Sequence, residues 1–424
     1  MNYLKILTTI ILVFVFFAAY PQQDTTKTKK EIRKEKREIK KNEPPHKGSF
    51  YITPLPVIGQ NPAWGLMYGA AVSTSWFMGD PSTTKISSML LGATLTSKDQ
   101  FLGTLKGTTY FTDNQWKLDV DWRFLNTSQP TYGLGTGPQS AKPVGQGIEI
   151  SEGVFSAPIP DEQLMIYNFL RFHQTVSKSF GKDFYLGLGY HIDFFNNVKD
   201  NLLDTSANPQ VITSYYAYNV KNGLAQDKSL LSGVSFNASY DSRDNINSTY
   251  EGRYALISFR YNPEFLGSDL SSSTLWIEYR DYYALNKSHK NVFALWMFGN
   301  FKTSGTLPYM DLPALGYDQM SNSGRAYAQG RFRGQNIVYM EIEYRRILLG
   351  TKNNPDFLGM AIFANATTAS SVDGNINLFQ YIDPAAGLGL RFMLEKKSRT
   401  ILAVDYAFGK YGASAFYLAL NQAF

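Results

Sequence analysis

From about residue 65 onward the chain alternates apolar residues with small or polar ones, stretch after stretch, and nowhere in that region does an apolar run reach the length of a membrane helix. In TILAVDYAFG, residues 400–409, Leu402, Val404, Tyr406 and Phe408 fall on one face and Ala403, Asp405, Ala407 and Gly409 on the other. GLGLRFML (387–394) sets Leu388, Leu390, Phe392 and Leu394 against Gly387, Gly389 and Arg391. YLGLGYHIDF (185–194) does the same, with Gly187, Gly189, His191 and Asp193 on the polar side. A period of two marks β-strands with one apolar face. A soluble β-sandwich would show it too. The N-terminus separates the two: Lys5 is followed by ILTTIILVFVFFAA, an apolar run of 14 residues ending in alanines. That is short of the roughly 20 residues a membrane helix needs, and it reads as a secretory signal peptide over 1–22. Secretion, 15% aromatics, a mean hydropathy of only −0.24 and a length that suits one large barrel together predict an all-β, antiparallel transmembrane barrel. Closed barrels and helices are the two structures that satisfy the backbone in lipid.

Fifteen strands stand out, starting near 65, 85, 101, 115, 164, 183, 229, 253, 273, 291, 335, 357, 385, 400 and 413. With both termini on one side the number is even, so sixteen is expected, with GQGIEISEGVF (145–155) supplying the missing fifth strand, and fourteen is the alternative. The connections around 195–228 and 303–334 are the long ones. The chain then divides into the signal peptide (1–22), a basic periplasmic tail (23–47) and the barrel (48–424). Lys27 to Lys47 holds ten Lys or Arg and four Glu, a net of +6, equal to the charge of the whole chain. The high pI therefore belongs to one tail and does not signal a nucleic-acid surface. With Ile32 and Ile39 its main apolar residues, the tail buries no core. It reads as a solvated spacer, or as a tether to anionic lipid or a periplasmic partner. The absence of cysteine excludes disulfides, thiolate metal sites and a lipoprotein anchor.

Several motifs in the second half carry a resemblance. The stretch GRAYAQGRFRGQNIVYMEIEYRR (324–346) places Arg325, Ala326 and Tyr327 ahead of a strand bearing Glu341, Glu343 and Arg345. Upstream, YDSRDNINSTYEGRY offers Asp241, Arg243, Asp244 and Gly252, and TPLPVIGQNPAWGLMYGAA precedes the first alternating strand. The chain ends on an aromatic, Phe424, after ASAFYLAL. Taken in order, these resemble the barrel of the BamA/TamA superfamily, the bacterial surface antigens. In that family an Arg-Gly-aromatic motif sits at the tip of the loop before the twelfth strand, an Asp-x-Arg-Asp…Gly pattern forms a periplasmic turn, and a terminal aromatic acts as sorting signal. Three departures stand: Ala326 replaces the motif glycine, Asn365 replaces the carboxylate of the thirteenth strand, and only residues 23–47 separate signal from barrel, so the short branch without POTRA modules is expected.

The resemblance implies that the loop around 303–334 folds inward as a plug, with Arg325 meeting Glu343 and Asn365 serving as a neutral second acceptor. Arginine suits such a lock because its planar fork holds carboxylates bidentately. Arg331, Arg333, Glu341, Arg345, Arg391 and Asp405 are the further plug and lumen charges, and Gly187, Gly189, Gly387 and Gly389 would leave room for the loop. An alternative alignment takes Arg333 and Gly334 as the motif. Enzymatic chemistry has little support. His46, His173, His191 and His289 lack metal spacing, and no serine pairs with His191 in the sequence, so neither cofactor nor hydrolase is expected. The function implied is assistance in inserting or translocating proteins or lipids at the outer membrane of a Gram-negative bacterium, with outer-membrane lipid and a barrel or secreted-protein client as partners. The other reading is a porin-like barrel without a client.

Overall fold

The computed structural model describes residues 43–61, 65–138, 147–352 and 354–424. The expected signal peptide and residues 23–42 of the basic tail lie outside the described residues. Among the described residues eighteen strands occur in chain order: β1 (Phe50–Asn61), β2 (Gly65–Trp76), β3 (Ser87–Thr96), β4 (Phe101–Tyr110), β5 (Trp116–Thr131), β6 (Glu149–Ser151), β7 (Val154–Phe155), β8 (Gln163–Ser179), β9 (Phe184–Asp200), β10 (Ser229–Asp241), β11 (Gly252–Asn262), β12 (Ser272–Ala284), β13 (Asn291–Gly305), β14 (Asn336–Leu349), β15 (Leu358–Ala369), β16 (Asp383–Glu395), β17 (Thr400–Gly409) and β18 (Ser414–Leu420). All but β6 and β7 form one 16-stranded sheet in sequence order, each strand antiparallel to its neighbours. The tight turns are made where the backbone turns left-handed, at Asp99, Asp113, Asp183, His289 and Arg399. No helix among the described residues is long and apolar enough to cross a membrane, a fact without bearing on strands.

The fifteen strands expected from alternation are all present. The sixteenth is not at 145–155. There β6 and β7 make only a two-stranded hairpin of three and two residues, outside the main sheet. The sheet begins instead at β1, so the strand expected to be first, 65–76, is second. Pro54 and Pro56 hide β1 from a pattern search, because proline reads as a strand breaker unless the strand is an edge. The long loops run 201–228 and 306–335, with β9 extending to Asp200.

The sheet is inverted relative to a soluble protein. Leu188, Phe236, Leu388 and Phe416 are each more than half exposed on its outer face. The two larger buried clusters lie inside, and both take residues from loop 306–335. One joins Leu315, Ala326, Tyr327 and Phe332 to the wall residues Trp296, Phe298, Tyr339 and Phe363. The other joins Leu307, Tyr309, Met310 and Leu312 to Tyr167, Phe169 and Phe195. Helix α1 (Ser214–Lys221), capped by Thr213 accepting from the Tyr216 N–H at 3.2 Å, adds Tyr215 and Tyr218, whose rings meet Tyr309 edge-on.

β18 ends at Leu420, and the last residues turn inward rather than continuing the outer face. Asn421 has φ +71°, and Phe424 is buried against Trp296 and Tyr282. Continued alternation would set Phe416, Leu418, Leu420 and Phe424 on one face; Phe416 and Leu418 are exposed there, whereas Leu420 and Phe424 are buried. Once the backbone turns at Asn421, strand parity no longer decides which way a side chain points.

Candidate functional site

Loop 306–335 crosses the interior and touches the wall on several sides. Arg123 donates to the Asp318 carbonyl at 2.8 Å, Lys106 to the Ser321 hydroxyl at 2.7 Å, Asn322 to the Ala423 carbonyl at 2.9 Å and the Tyr327 hydroxyl to the Pro384 carbonyl at 2.6 Å. Gly409 is bare where Tyr327 packs; a Cβ there would lie 2.7 Å from the ring.

At the tip, Arg325 is buried and pairs with three carboxylates. Its guanidinium contacts Glu341, Glu343 at 2.5 Å and Asp405 at 2.8 Å. It also lies flat over Phe363, 3.3 Å from the ring centre. Alternation on β14 turns Tyr339, Glu341, Glu343 and Arg345 inward together, while Met340 and Ile342 face outward. Two further arginines complete the cluster. Arg345 reaches Glu343 at 2.6 Å, and Arg391 reaches Asp405 and, at 3.4 Å, Glu343. Three cations face three anions, which is what burial of so much charge requires. Glu343 and Asp405 each keep another arginine besides Arg325. Glu341 has Arg325 as its only cation among the described residues, supplemented by the Tyr339 hydroxyl at 2.5 Å.

Asn365 does not act as the expected second acceptor for the guanidinium. Its amide donates to the Arg325 carbonyl at 3.0 Å, and its own oxygen has no partner. The second carboxylate comes from Asp405 on β17. Ala326, in place of the motif glycine, sits at φ +102°, a conformation that favours glycine, and its N–H donates to the Tyr417 hydroxyl at 2.9 Å. Of the glycines expected to make space for the loop, Gly389 and Gly387 clear room for Asp405 and Phe363, the wall residues that Arg325 contacts, and Gly187 and Gly189 lie against other wall side chains. A Cβ at Gly389 would fall on Asp405, one at Gly387 on Phe363, one at Gly187 on Ser177 and one at Gly189 on His191.

The other expected residues lie elsewhere. Arg331 stacks on Tyr132 at 4.3 Å and Tyr411 at 5.1 Å. Arg333 is buried and donates to the carbonyls of Tyr309, Met310 and Leu312, so it holds the loop to itself. It reaches none of the wall carboxylates that an Arg333–Gly334 alignment would require. Asp241, Arg243, Asp244 and Gly252 build the turn 242–251, at the end of the barrel that carries both termini. Arg243 forks onto Asp241 at 2.7 and 2.9 Å, Asp244 pairs with Arg399, and Gly252 has φ +107°. Within this turn Asn247, absent from the sequence reading, ties Ser75 of β2 at 3.0 Å to the Gln422 N–H of the C-terminus at 3.1 Å. The terminal residue closes the circuit, with Arg345 donating to the Phe424 carbonyl at 2.8 Å.

A second polar network was not foreseen. Arg123 forks onto Asp121, while Arg171, Arg260 and His173 all reach Asp193 at 2.7 Å. Asp121, Arg171, His173, Asp193 and Arg260 line a cavity of about 240 Å³ that also holds Asp311 of loop 306–335. Register pairs His173 with His191, their rings 4.6 Å apart. His191 also meets Ser235 at 2.7 Å. Ser235 is fully buried, and Asp193 bonds His173 rather than His191. Inward parity of Asp121 and Asp193 was visible in sequence; their partners depended on register. Asp311 lies in the loop, and burial, then the nearby Asp193 carboxylate, push its pKa up to about 8. No group of three or more potential ligands suits a metal among the described residues.

A solved structure of BamA from Haemophilus ducreyi lacking POTRA domains 1–3 resembles this fold with a TM-score of 0.51 at 17% identity, over 88% of this chain and 69% of that one. CdiB from Acinetobacter baumannii gives 0.48 at 12% identity, over 88% of this chain and 58% of that one. No curated protein matches the sequence. The Omp85 superfamily domain matches residues 166–424, more than half of the chain and the part that carries β14, β17 and the Arg325 cluster; the protein belongs to the Omp85 superfamily.

Proposed function

We propose that this barrel sits in the outer membrane of a Gram-negative bacterium and assists insertion or translocation of a protein or lipid client, without enzymatic chemistry. The observation that carries this reading is the seam. No ladder joins β1 to β18 among the described residues, so the sheet ends in two strand edges. Backbone groups left unpaired in hydrocarbon are costly, and an added strand would satisfy them. Loop 306–335, pinned by Arg325, serves as a plug that keeps the lumen shut while the wall opens. The end with both termini faces the periplasm, and the three longest connections, 132–162, 201–228 and 306–335, face outward. The basic segment 27–47 then lies in the periplasm, suited to anionic lipid or an acidic partner.

The test is reconstitution. Proteoliposomes carrying the protein should fold an unfolded eight-stranded outer-membrane barrel faster than empty ones, followed by heat-modifiability on gels. The chain lacks cysteine, so a cysteine pair scanned between 50–56 and 414–420 can staple the seam cleanly. Stapling should abolish the acceleration, and reduction should restore it. Equal rates with and without the protein would refute insertion, and a steady wide conductance would favour the porin-like reading.

A further inference from the structure

The outer face of the sheet carries an apolar groove at the end where β1 begins. Phe50, Trp76, Met89, Leu91 and Leu105 line it, and it holds about 580 Å³. Strand parity sets these side chains on the lipid side: Phe50 and Leu91 are half exposed, while Lys106, next to Leu105, is buried inside. The strands make the space by carrying little at its centre. Met89 lies flat across Gly107, its ladder partner, so a Cβ there would fall 2.9 Å from the Met89 sulfur. On the other side Thr74 pairs with Met89 and donates its hydroxyl to the Met89 carbonyl at 3.3 Å. Trp76 tilts against Phe50 at the rim, with ring centres 6.2 Å apart. Leu91 pairs with Val72, four residues from Trp76 on β2, so the groove runs roughly 13 Å along the strands. Lys47 is the one charged residue lining the groove, and it stands exposed at the rim with no ion pair among the described residues. Asp80, at the same end of the sheet, is taken up by the Ser82 N–H and hydroxyl at 2.8 and 2.5 Å.

We propose that the groove holds one phospholipid of the periplasmic leaflet, with an acyl chain along Trp76, Met89, Leu91 and Leu105 and an anionic phosphate at Lys47. The proposal rests on the outer-membrane placement above, and it names a lipid where that reading left the basic segment two kinds of partner. The groove decides between them. Below its rim the Thr74 hydroxyl is already bonded, so the peptide groups of a protein segment would be buried there without partners. An acyl chain brings no such groups, and the flexible Met89 adapts to its path. Trp76 suits the boundary between hydrocarbon and headgroups, where an indole keeps its ring in the apolar layer and its N–H in water. Lys47, on its long apolar stem, reaches the same layer. Charge complements the shape. The segment 27–47 ends at Lys47 and carries ten Lys or Arg against four Glu, which draws anionic headgroups to a rim where Lys47 fixes one.

The test weighs the bound lipid. The full chain is extracted in mild detergent from vesicles of equal phosphatidylethanolamine and phosphatidylglycerol and examined by native mass spectrometry, with heat-modifiability as the control for folding. One retained phosphatidylglycerol per barrel is expected. Lys47→Gln should lower the ratio of retained phosphatidylglycerol to phosphatidylethanolamine about fivefold, the effect of one cation at the membrane surface. Thr74→Trp fills the groove and should remove both lipids. Equal retention of the two lipids by the unmodified protein would overturn the proposal. So would a phosphatidylglycerol preference that survives Lys47→Gln and disappears on deletion of 27–43, which would leave a diffuse basic tail and no groove site. Unchanged retention in a heat-modifiable Thr74→Trp variant would have the same consequence. Binding of polyglutamate with no preference between the lipids would assign the segment to an acidic protein partner. Failure of the chain to float with carbonate-washed outer membranes would overturn the placement itself, whereas an inserted barrel that retains no lipid would overturn the groove and leave the placement standing.

Discussion

Arg325 and its three carboxylates show how a residue becomes indispensable by leaving one neighbour alone. Arg325→Ala leaves Glu343 with Arg345 and Arg391, and Asp405 with Arg391, but leaves Glu341 without a cation. Breaking a buried pair by removing one partner costs about 3–5 kcal/mol. The barrel ladder does not depend on it, so the expected outcome is a folded barrel with a released loop: higher conductance in planar bilayers and faster proteolysis within 306–335. Glu341→Gln in the same background should recover most of the protection, because it removes the stranded charge; Glu343→Gln should not. Unchanged conductance and protection in Arg325→Ala would remove the cluster from any role in holding the loop. Asn365 inverts an expectation. Restoring the family carboxylate there would delete the donor to the Arg325 carbonyl and set a negative charge directly opposite Glu341. Asn365→Asp should therefore loosen the loop by about 1–3 kcal/mol, measured as the shift in its proteolysis midpoint with urea. Ala326→Gly should act the other way, relieving the φ +102° conformation by about 1 kcal/mol.

Among elements, loop 306–335 is held by polar groups of differing response to pH. Asp311 contacts the Ser229 hydroxyl at 3.2 Å, and its proton is favoured by burial. The folded protein retains a proton that the unfolded chain releases near pH 4. Its contribution is therefore fully favourable below that pH, and falls as pH rises toward about 8, where the carboxyl ionises inside the barrel. Protease access to the loop should rise between about pH 5 and 8 and level off above it, and Asp311→Asn should flatten that rise. An identical pH profile in the variant would assign the dependence to other groups. The charge rich in GRAYAQGRFRGQN was plain in the sequence, and β14 parity sent Glu341 and Glu343 inward. Their meeting with Asp405 was not legible, since β17 lies three strands away and reaches Arg325 across the lumen.

For the whole molecule, even strand number is the strongest consequence of the fold. It puts the start of β1 and the end of β18 at one end of the sheet and loops 201–228 and 306–335 at the other. An epitope tag at residue 206 should be labelled on intact cells, and one at residue 45 only after the outer membrane is opened. Surface labelling at residue 45 would reverse the orientation. The interior is filled from two directions, by the long loop from one end and by turn 242–251 with the C-terminus from the other. Asn247, Arg345 and Phe424 join the second group into one support for the Arg325 cluster.

The sequence alone determined the wall. Alternation needs no information beyond nearest neighbours, so fifteen strands and their outward faces followed from it directly, while the even count came from placing both termini on one side. It could not place β1, because proline means opposite things in a central and an edge strand, and edge status exists only once the sheet is assembled. Nor could it place Phe424, whose strand parity ends where the backbone turns at Asn421. The partners of Arg325 and the turning of Asn365 toward a carbonyl were decided by tertiary structure alone, because each depends on which residues the curved sheet brings across its interior.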